Sequence, residues 1–317
     1  MRPGYPCHAL IWLCFVLGLS MVSAAGAKAG ERAEQLEVPV EANTDKTVEG
    51  DAESPYLSDW FHQQVQFIGS TDIRFGPRPV DDIYLEYEFF GTKGPFDIYG
   101  YIDFNKIFGV GSDFNNGVWN ADGSPFFTEL QPRMSLDRLF GRDFGIGPIK
   151  EWFVATDYIL DFGHNRSSRQ NTFYVGPGAA IDTHSPVNLE VNFFFRRQFA
   201  YYDAPTVDTW DGYRFQANYS VPLGRAPLDG SLLYVGFLNY DFGSELGDRA
   251  GAFRTNEALV ETNVLILSYT HLRYFLAARY FKNGGQWQDG AILDLGNGPQ
   301  RLDENGWGYY LAIGWQF

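Results

Sequence analysis

The sequence predicts an all-β chain closed into a transmembrane antiparallel β-barrel of about 12 strands. Three observations predict it. From Val65 onward, roughly twelve runs alternate apolar and polar residues, the period of two that belongs to a half-buried strand. Beyond the first residues, no stretch approaches the about 18 continuous apolar residues that a membrane helix needs. The last run, Trp307 to Phe317, carries aromatic residues at both ends of one face, as a strand crossing a bilayer does.

Residues 1–25 read as a secretory signal. Arg2 supplies the charged start, Ala9 to Leu19 the apolar stretch, and Ser23 to Ala27 the small residues for cleavage. Cys7 and Cys14 both lie there, so the processed chain has no disulfide framework and no cysteine metal site. Processing removes one base and no acid, taking the net charge below the −15 of the whole chain. Such a field excludes nucleic acid as a partner. Residues 26–55 form an acidic leader. Lys28 to Pro55 holds eight acids, three bases and no aromatic, a composition that stays disordered. Residues 56–317 are assigned to the barrel. Aromatics at 17% and 35 glycines suit short strands, tight turns and aromatic belts.

The runs follow in order. The first is Val65 to Phe75. The second, Ile83 to Phe89, sets Tyr84, Glu86 and Glu88 against an apolar face. The third, Phe96 to Phe104, sets Asp97, Tyr99, Tyr101 and Asp103 against Phe96, Ile98, Ile102 and Phe104. The fourth, Glu129 to Leu136, opposes Glu129, Gln131 and Arg133 to Leu130, Met134 and Leu136. Trp152 to Phe162, Thr172 to Ile181, Asn188 to Arg196, and Tyr213 to Val221 come next. Leu232 to Phe242, Leu259 to Tyr269, Arg273 to Phe281 and the terminal run complete the set.

A Lys or Arg on the lipid face at mid-bilayer costs roughly 2–4 kcal/mol. The charged face of each strand therefore points into a lumen, and outer-membrane lipid covers the other. An even number of strands puts both chain ends on the periplasmic side. Connections after even-numbered runs are mostly short: Gly91 to Pro95, Asp182 to Val187, Pro222 to Gly230, and around His271. Those after odd-numbered runs are mostly long: Asn105 to Phe126, Ala200 to Asp211, Gly243 to Glu257, and Lys282 to Asn305. Short inside and long outside is the expected asymmetry. Gly76 to Asp81, which is short, and Asp137 to Glu151, which is long, depart from it.

No phosphate-cradling loop, HExxH motif or paired metal-ligand spacing is found. His62, His164, His184 and His271 are read as scattered over turns and loops. His184-Ser185 sits in a periplasmic turn, a poor place for a buried nucleophile. The reading therefore needs no catalytic residue, cofactor or metal. The lumen faces collect acids (Glu86, Glu88, Asp97, Asp103, Glu129, Asp157, Glu190) and bases (Arg74, Arg133, Arg214, Arg273, Arg279). Tyr84, Tyr99, Tyr101, Phe153, Phe194 and Phe275 stand among them. Mixed charge braces any barrel wall, but a general diffusion pore gains nothing from rings. A solute with a flat base gains about 1–3 kcal/mol per stacked base, and carboxylates, Arg and Tyr hydroxyls bond a sugar. Weak contacts in series allow both entry and release. The residues alone leave open a channel for another small solute, a barrel hydrolase, and a surface receptor.

The final Phe317, with no tail after it, resembles the assembly signal of outer-membrane barrels. From about Tyr56 onward the chain resembles the Tsx-type nucleoside-specific channels of the bacterial outer membrane. The likeness rests on Tyr56 to Trp60, Arg74-Phe75-Gly76-Pro77, Tyr84 to Glu88, and Gly147 to Trp152. Trp210 to Phe215, Gly243 to Asp248 and Gly284 to Trp287 extend it. The resemblance implies a narrow twelve-stranded barrel, a monomer, that passes nucleosides and deoxynucleosides by passive selective diffusion. It also implies outer loops that serve phage and colicin as receptors. The family's association of its Arg-Phe-Gly-Pro segment with the channel carries over to Phe75 and Gly76. Parity alone turns Phe75 toward lipid; a strand break at Gly76-Pro77 is expected to turn it inward. The candidate solute contacts are thus Arg74, Phe75, Gly76, Tyr84, Glu86, Glu88, Tyr99, Tyr101, Glu129, Arg133, Asp157, Arg214 and Arg279.

Overall fold

The computed structural model describes residues 58–105, 107–108, 124–163, 166–294 and 298–317. The signal, the whole leader and His164 lie outside them. The described residues fall in one compact unit, Pro39–Phe317.

Twelve strands close into an antiparallel barrel. They are β1 (Trp60–Ile73), β2 (Val80–Lys93), β3 (Phe96–Phe104), β4 (Phe126–Ser135), β5 (Ile149–Phe162), β6 (Arg169–Ile181), β7 (Asn188–Tyr201), β8 (Thr209–Ala226), β9 (Gly230–Phe242), β10 (Ala258–Ser268), β11 (Leu272–Lys282) and β14 (Gly306–Gln316). Each expected run overlaps one of them, with ends that differ by a few residues. A separate hairpin, β12 (Ile292–Asp294) and β13 (Pro299–Arg301), stands in the last outer connection. Two short helices, α1 (Leu136–Phe140) and α2 (Leu246–Ala250), cap connections.

Closure joins β14 to β1, with Phe67 opposite Ile313 and Thr71 opposite Tyr309. The N–H of Phe317 donates to the Gln63 carbonyl at 3.2 Å, so even the last residue is stitched to the first strand. Outward parity leaves Trp307, Tyr309, Ile313, Trp315 and Phe317 exposed, as are Phe193, Phe195, Tyr213 and Phe215 on β7 and β8. An apolar surface of this extent, unbroken from strand to strand, is a surface for lipid.

The structure moves several expected boundaries. Leu136 is not the end of the fourth strand but the start of α1. There the Ser135 hydroxyl accepts from the Arg138 N–H and caps the helix. Pro222 to Ala226 belongs to β8, past a register shift between Pro222 and Gly224, leaving a turn of Pro227 to Asp229. β1 begins five residues before Val65, which places His62 on a strand rather than in a loop. It also ends at Ile73, so Arg74 and Phe75 lie beyond it.

The bore is filled unevenly. On one side Ala155, Ile159, Tyr174 and Phe194, with Phe127 against them, form a buried core inside the wall of β5, β6 and β7. Ion pairs span this side. Arg214 on β8 reaches Asp157 on β5 at 2.9 Å and Asp241 on β9 at 2.8 Å, with its guanidinium 4.0 Å from the Tyr174 ring centroid. Arg133 on β4 pairs with Asp97 at 3.1 Å and with Glu190 on β7, 4.3 Å from the Phe153 centroid. These contacts brace β3 to β9 across the bore.

Candidate solute path through the bore

A ladder of rings lines the bore from β1 to β4 and ends against the buried core at Phe127. It rises through Trp60, His62, Phe90, Tyr99, Tyr101 and Phe127, with successive centroids 6.2, 6.1, 4.9, 6.0 and 6.0 Å apart. The sheet builds it directly. His62 is the cross-strand partner of Phe90, and Phe90 of Tyr99. Directly opposed Cβ atoms stand about 4.5–5.5 Å apart, the spacing at which rings touch.

Carboxylates flank the ladder on the same strands. Glu86 is the cross-strand partner of Asp103, and Tyr101 lies between Glu88 on β2 and Glu129 on β4. Their positions are fixed by hydrogen bonds from the neighbouring wall. Gln66 Nε2 donates to Glu86 at 2.9 Å and to Glu88 at 2.8 Å, and Gln64 also donates to Glu88. The Tyr101 hydroxyl donates to Glu129 at 2.7 Å, and Gln131 Nε2 donates to it at 2.6 Å. Aligned like charges repel; Arg279, on β11, is the cation that faces Glu86 and Asp103. Its Nε donates to the Thr262 hydroxyl at 2.7 Å and its Nη1 to the Tyr310 hydroxyl at 2.7 Å. The guanidinium lies 4.7 Å from the Tyr310 centroid. Tyr84 completes this group beside Asp103, Tyr310 and Arg279.

Phe75 turns toward the bore. Its ring meets buried Phe281 edge-on at 5.1 Å, and the Arg279 guanidinium lies 5.4 Å from its centroid. Beside it, a Cβ added to Gly76 would meet nothing within 4 Å. Phe75, Tyr84, Glu86, Glu88, Tyr99, Tyr101, Glu129 and Arg279 thus come together along one path, with Gly76 at its edge. The other four candidates do not join it. Arg74 spends its Nη1 on the carbonyls of Asp72 and Trp307, at 2.7 and 2.8 Å, and ties the end of β1 to β14. Arg133, Asp157 and Arg214 belong to the bracing lattice, which meets the path where Asp157 hydrogen-bonds Glu129.

Several path residues escape the sequence reading. Phe90 lies just past the expected end of its run, yet its even position matches Glu86 and Glu88. Tyr310 breaks the outward alternation of the last strand for the same reason: it faces in. His62 and Gln64 precede the expected start of the first run at Val65, and Gln66 lies inside that run on its inward face. Extending parity by a few residues reaches His62, Gln64 and Phe90, and applying it within the runs reaches Gln66 and Tyr310.

An apolar outer belt around a closed twelve-stranded wall, with rings and charges along a bore, defines a channel-forming barrel of the bacterial outer membrane. The family described as "Nucleoside-specific channel-forming protein, Tsx" matches residues 57–317. The chain is 47% identical over 262 residues to the Nucleoside-specific channel-forming protein Tsx of Salmonella typhimurium, covering 83% of this chain and 90% of that protein. It is 46% identical over 268 residues to the protein of that name from Escherichia coli O157:H7, with the same coverage. With Outer membrane protein OmpK of Vibrio parahaemolyticus it shares 28% identity over 263 residues, 83% of this chain and 89% of that one. The chain belongs to the Tsx family of nucleoside-specific channel-forming proteins.

Proposed function

We propose that the barrel passes nucleosides and deoxynucleosides across the outer membrane by diffusion, handing the base along the ring ladder while the polar row holds the sugar. The unbroken sequence of rings from Trp60 to Phe127 carries this reading. Stacking of about 1–3 kcal/mol per base is enough to select a nucleoside and too little to trap it. Glu86, Glu88 and Glu129 accept from sugar hydroxyls and base N–H groups; Arg279 and the Tyr hydroxyls donate. Family membership supports the solute class, and each step is reversible binding without covalent chemistry. A wall that closes on itself through β1 and β14 supports a monomer. Phage or colicin docking, if this chain shares it with its family, would fall on the outer connections, where Ile292 of the β12–β13 hairpin is exposed.

Swelling of liposomes loaded with purified barrel tests the reading. Adenosine and thymidine are expected to enter faster than free ribose, although ribose is smaller. Entry ranked by size alone would contradict it.

A further inference from the structure

The last outer connection turns inward. After β11, Asn283 adopts left-handed backbone at φ 53°, and Gly285 follows at φ 58°. These torsions fold Gly284, Gly285 and Gln286 back over the opening. A methyl group added at Gly284 would sit 1.7 Å from the Arg74 carbonyl oxygen, and one at Gly285 2.2 Å from that of Phe75. The segment therefore lies hard against the end of β1. Its other side is bonded to β7. Gln286, fully buried, accepts from Arg196 Nη1 at 2.7 Å, and the Tyr201 hydroxyl donates to the Gly285 carbonyl at 3.0 Å. Its Nε2 donates to the Thr255 carbonyl at 3.1 Å.

β1 and β7 stand six places apart in the ring of twelve strands. Three consecutive residues that touch both must bridge the opening. The anchor is also deep. Arg196 is buried, donates from Nε to the Asp211 carbonyl at 2.7 Å, and lies 3.9 Å from the Asp241 carboxylate that holds Arg214. The crossing segment is thus joined through Arg196 to the lattice that braces the wall.

We infer that Gly284–Gln286 is a strap that sets the size limit of the outer opening, and that Gln286 is the positioning residue that holds it there through Arg196. The inference rests on the channel reading above and deepens it: the ladder supplies affinity for a base, and the strap limits cross-section. Solutes wider than one base with one sugar, such as a trisaccharide, are turned away at the strap.

Single-channel conductance in potassium chloride without nucleoside reads the strap alone. Gln286→Ala removes the acceptor for Arg196 and is expected to raise conductance roughly twofold, because the current through a pore follows its narrowest section. The same variant is expected to admit a trisaccharide in liposome swelling. Gln286→Glu keeps an acceptor for Arg196 and is expected to conduct like the native barrel. Native conductance together with a native size limit in Gln286→Ala would overturn the inference. If that variant fails to insert, Tyr201→Phe, which removes a single hydroxyl, decides the matter: raised conductance supports the strap and unchanged conductance overturns it. Nucleoside block is measured separately in the native barrel, so loss of the solute reading leaves the comparison of conductances intact.

Discussion

The Arg279 guanidinium lies 5.4 Å from the centroid of the Phe75 ring while its Nη1 donates to Tyr310 at 2.7 Å. One cation thus joins the connection after β1 to the wall of β11 and β14, and acts on Glu86 and Asp103 of β2 and β3. On the proposed reading, a solute on the ring ladder passes both this cation and the carboxylates. Gly76 adjoins Phe75 with open space where a side chain would project. Gly76→Arg is expected to place a second cation in the path without displacing any wall residue. Nucleoside uptake should fall at least about tenfold, ~1.4 kcal/mol, with the barrel still assembled. Unchanged flux in an assembled variant would remove Gly76 from the path.

The ladder gives a graded expectation. Tyr99→Ala removes one ring between Phe90 and Tyr101. Loss of one stacking contact of about 1–3 kcal/mol should weaken nucleoside block of the current by roughly fivefold to a hundredfold or more. Tyr99→Phe, which keeps the ring, should stay within a few-fold of native. Equal loss in both variants would assign the effect to the hydroxyl and not to stacking.

The brace gives the opposite pattern. Arg214→Ala leaves Asp157 buried without its cation and Asp241 with only the longer contact to Arg196, and breaking such a buried pair typically costs about 3–5 kcal/mol. The thermal midpoint of the barrel in detergent should fall clearly, while the surviving folded fraction keeps near-native nucleoside affinity. Lost affinity with unchanged stability would move Arg214 from the brace to the path.

Glu304, in the connection beside the strap, supplies a pH dependence. Burial is the main cause that pushes its carboxyl up to about 8, with Asp303 and Asp289 adding to it and Arg74 and Arg254 opposing them. The folded loop then holds a proton that an opened loop releases at an ordinary carboxylate pKa. Its stabilising contribution is complete below about 4.5 and is lost as pH rises through about 8. Hydrogen exchange of residues 283–305 should therefore speed up between pH 6 and pH 9 beyond the intrinsic rate. Glu304→Gln should remove that excess; an excess that persists would place the pH response elsewhere.

The wall was legible in the sequence because alternation is a local signal. Phe96 to Phe104 reads as a strand from its own residues, and the same range is observed as β3. What needs barrel closure was not legible. Arg214 and Asp157 are 57 residues apart and Arg196 and Gln286 are 90 apart, and nothing in either local pattern pairs them. The sorting of charges into brace and path has the same origin: Arg133 and Arg279 share lumen parity, and only their partners in the closed barrel separate them. Phe75 shows the reverse case. Its inward turn contradicts parity, and the Gly76-Pro77 break beside it was the visible cue.

Titration of a single barrel with adenosine, thymidine and uridine in a planar bilayer tests the central claim most directly. Each nucleoside is expected to interrupt the ion current in a saturable manner, and free ribose at the same concentration to leave it unchanged. A current indifferent to all three nucleosides would contradict a bore built to hold a base.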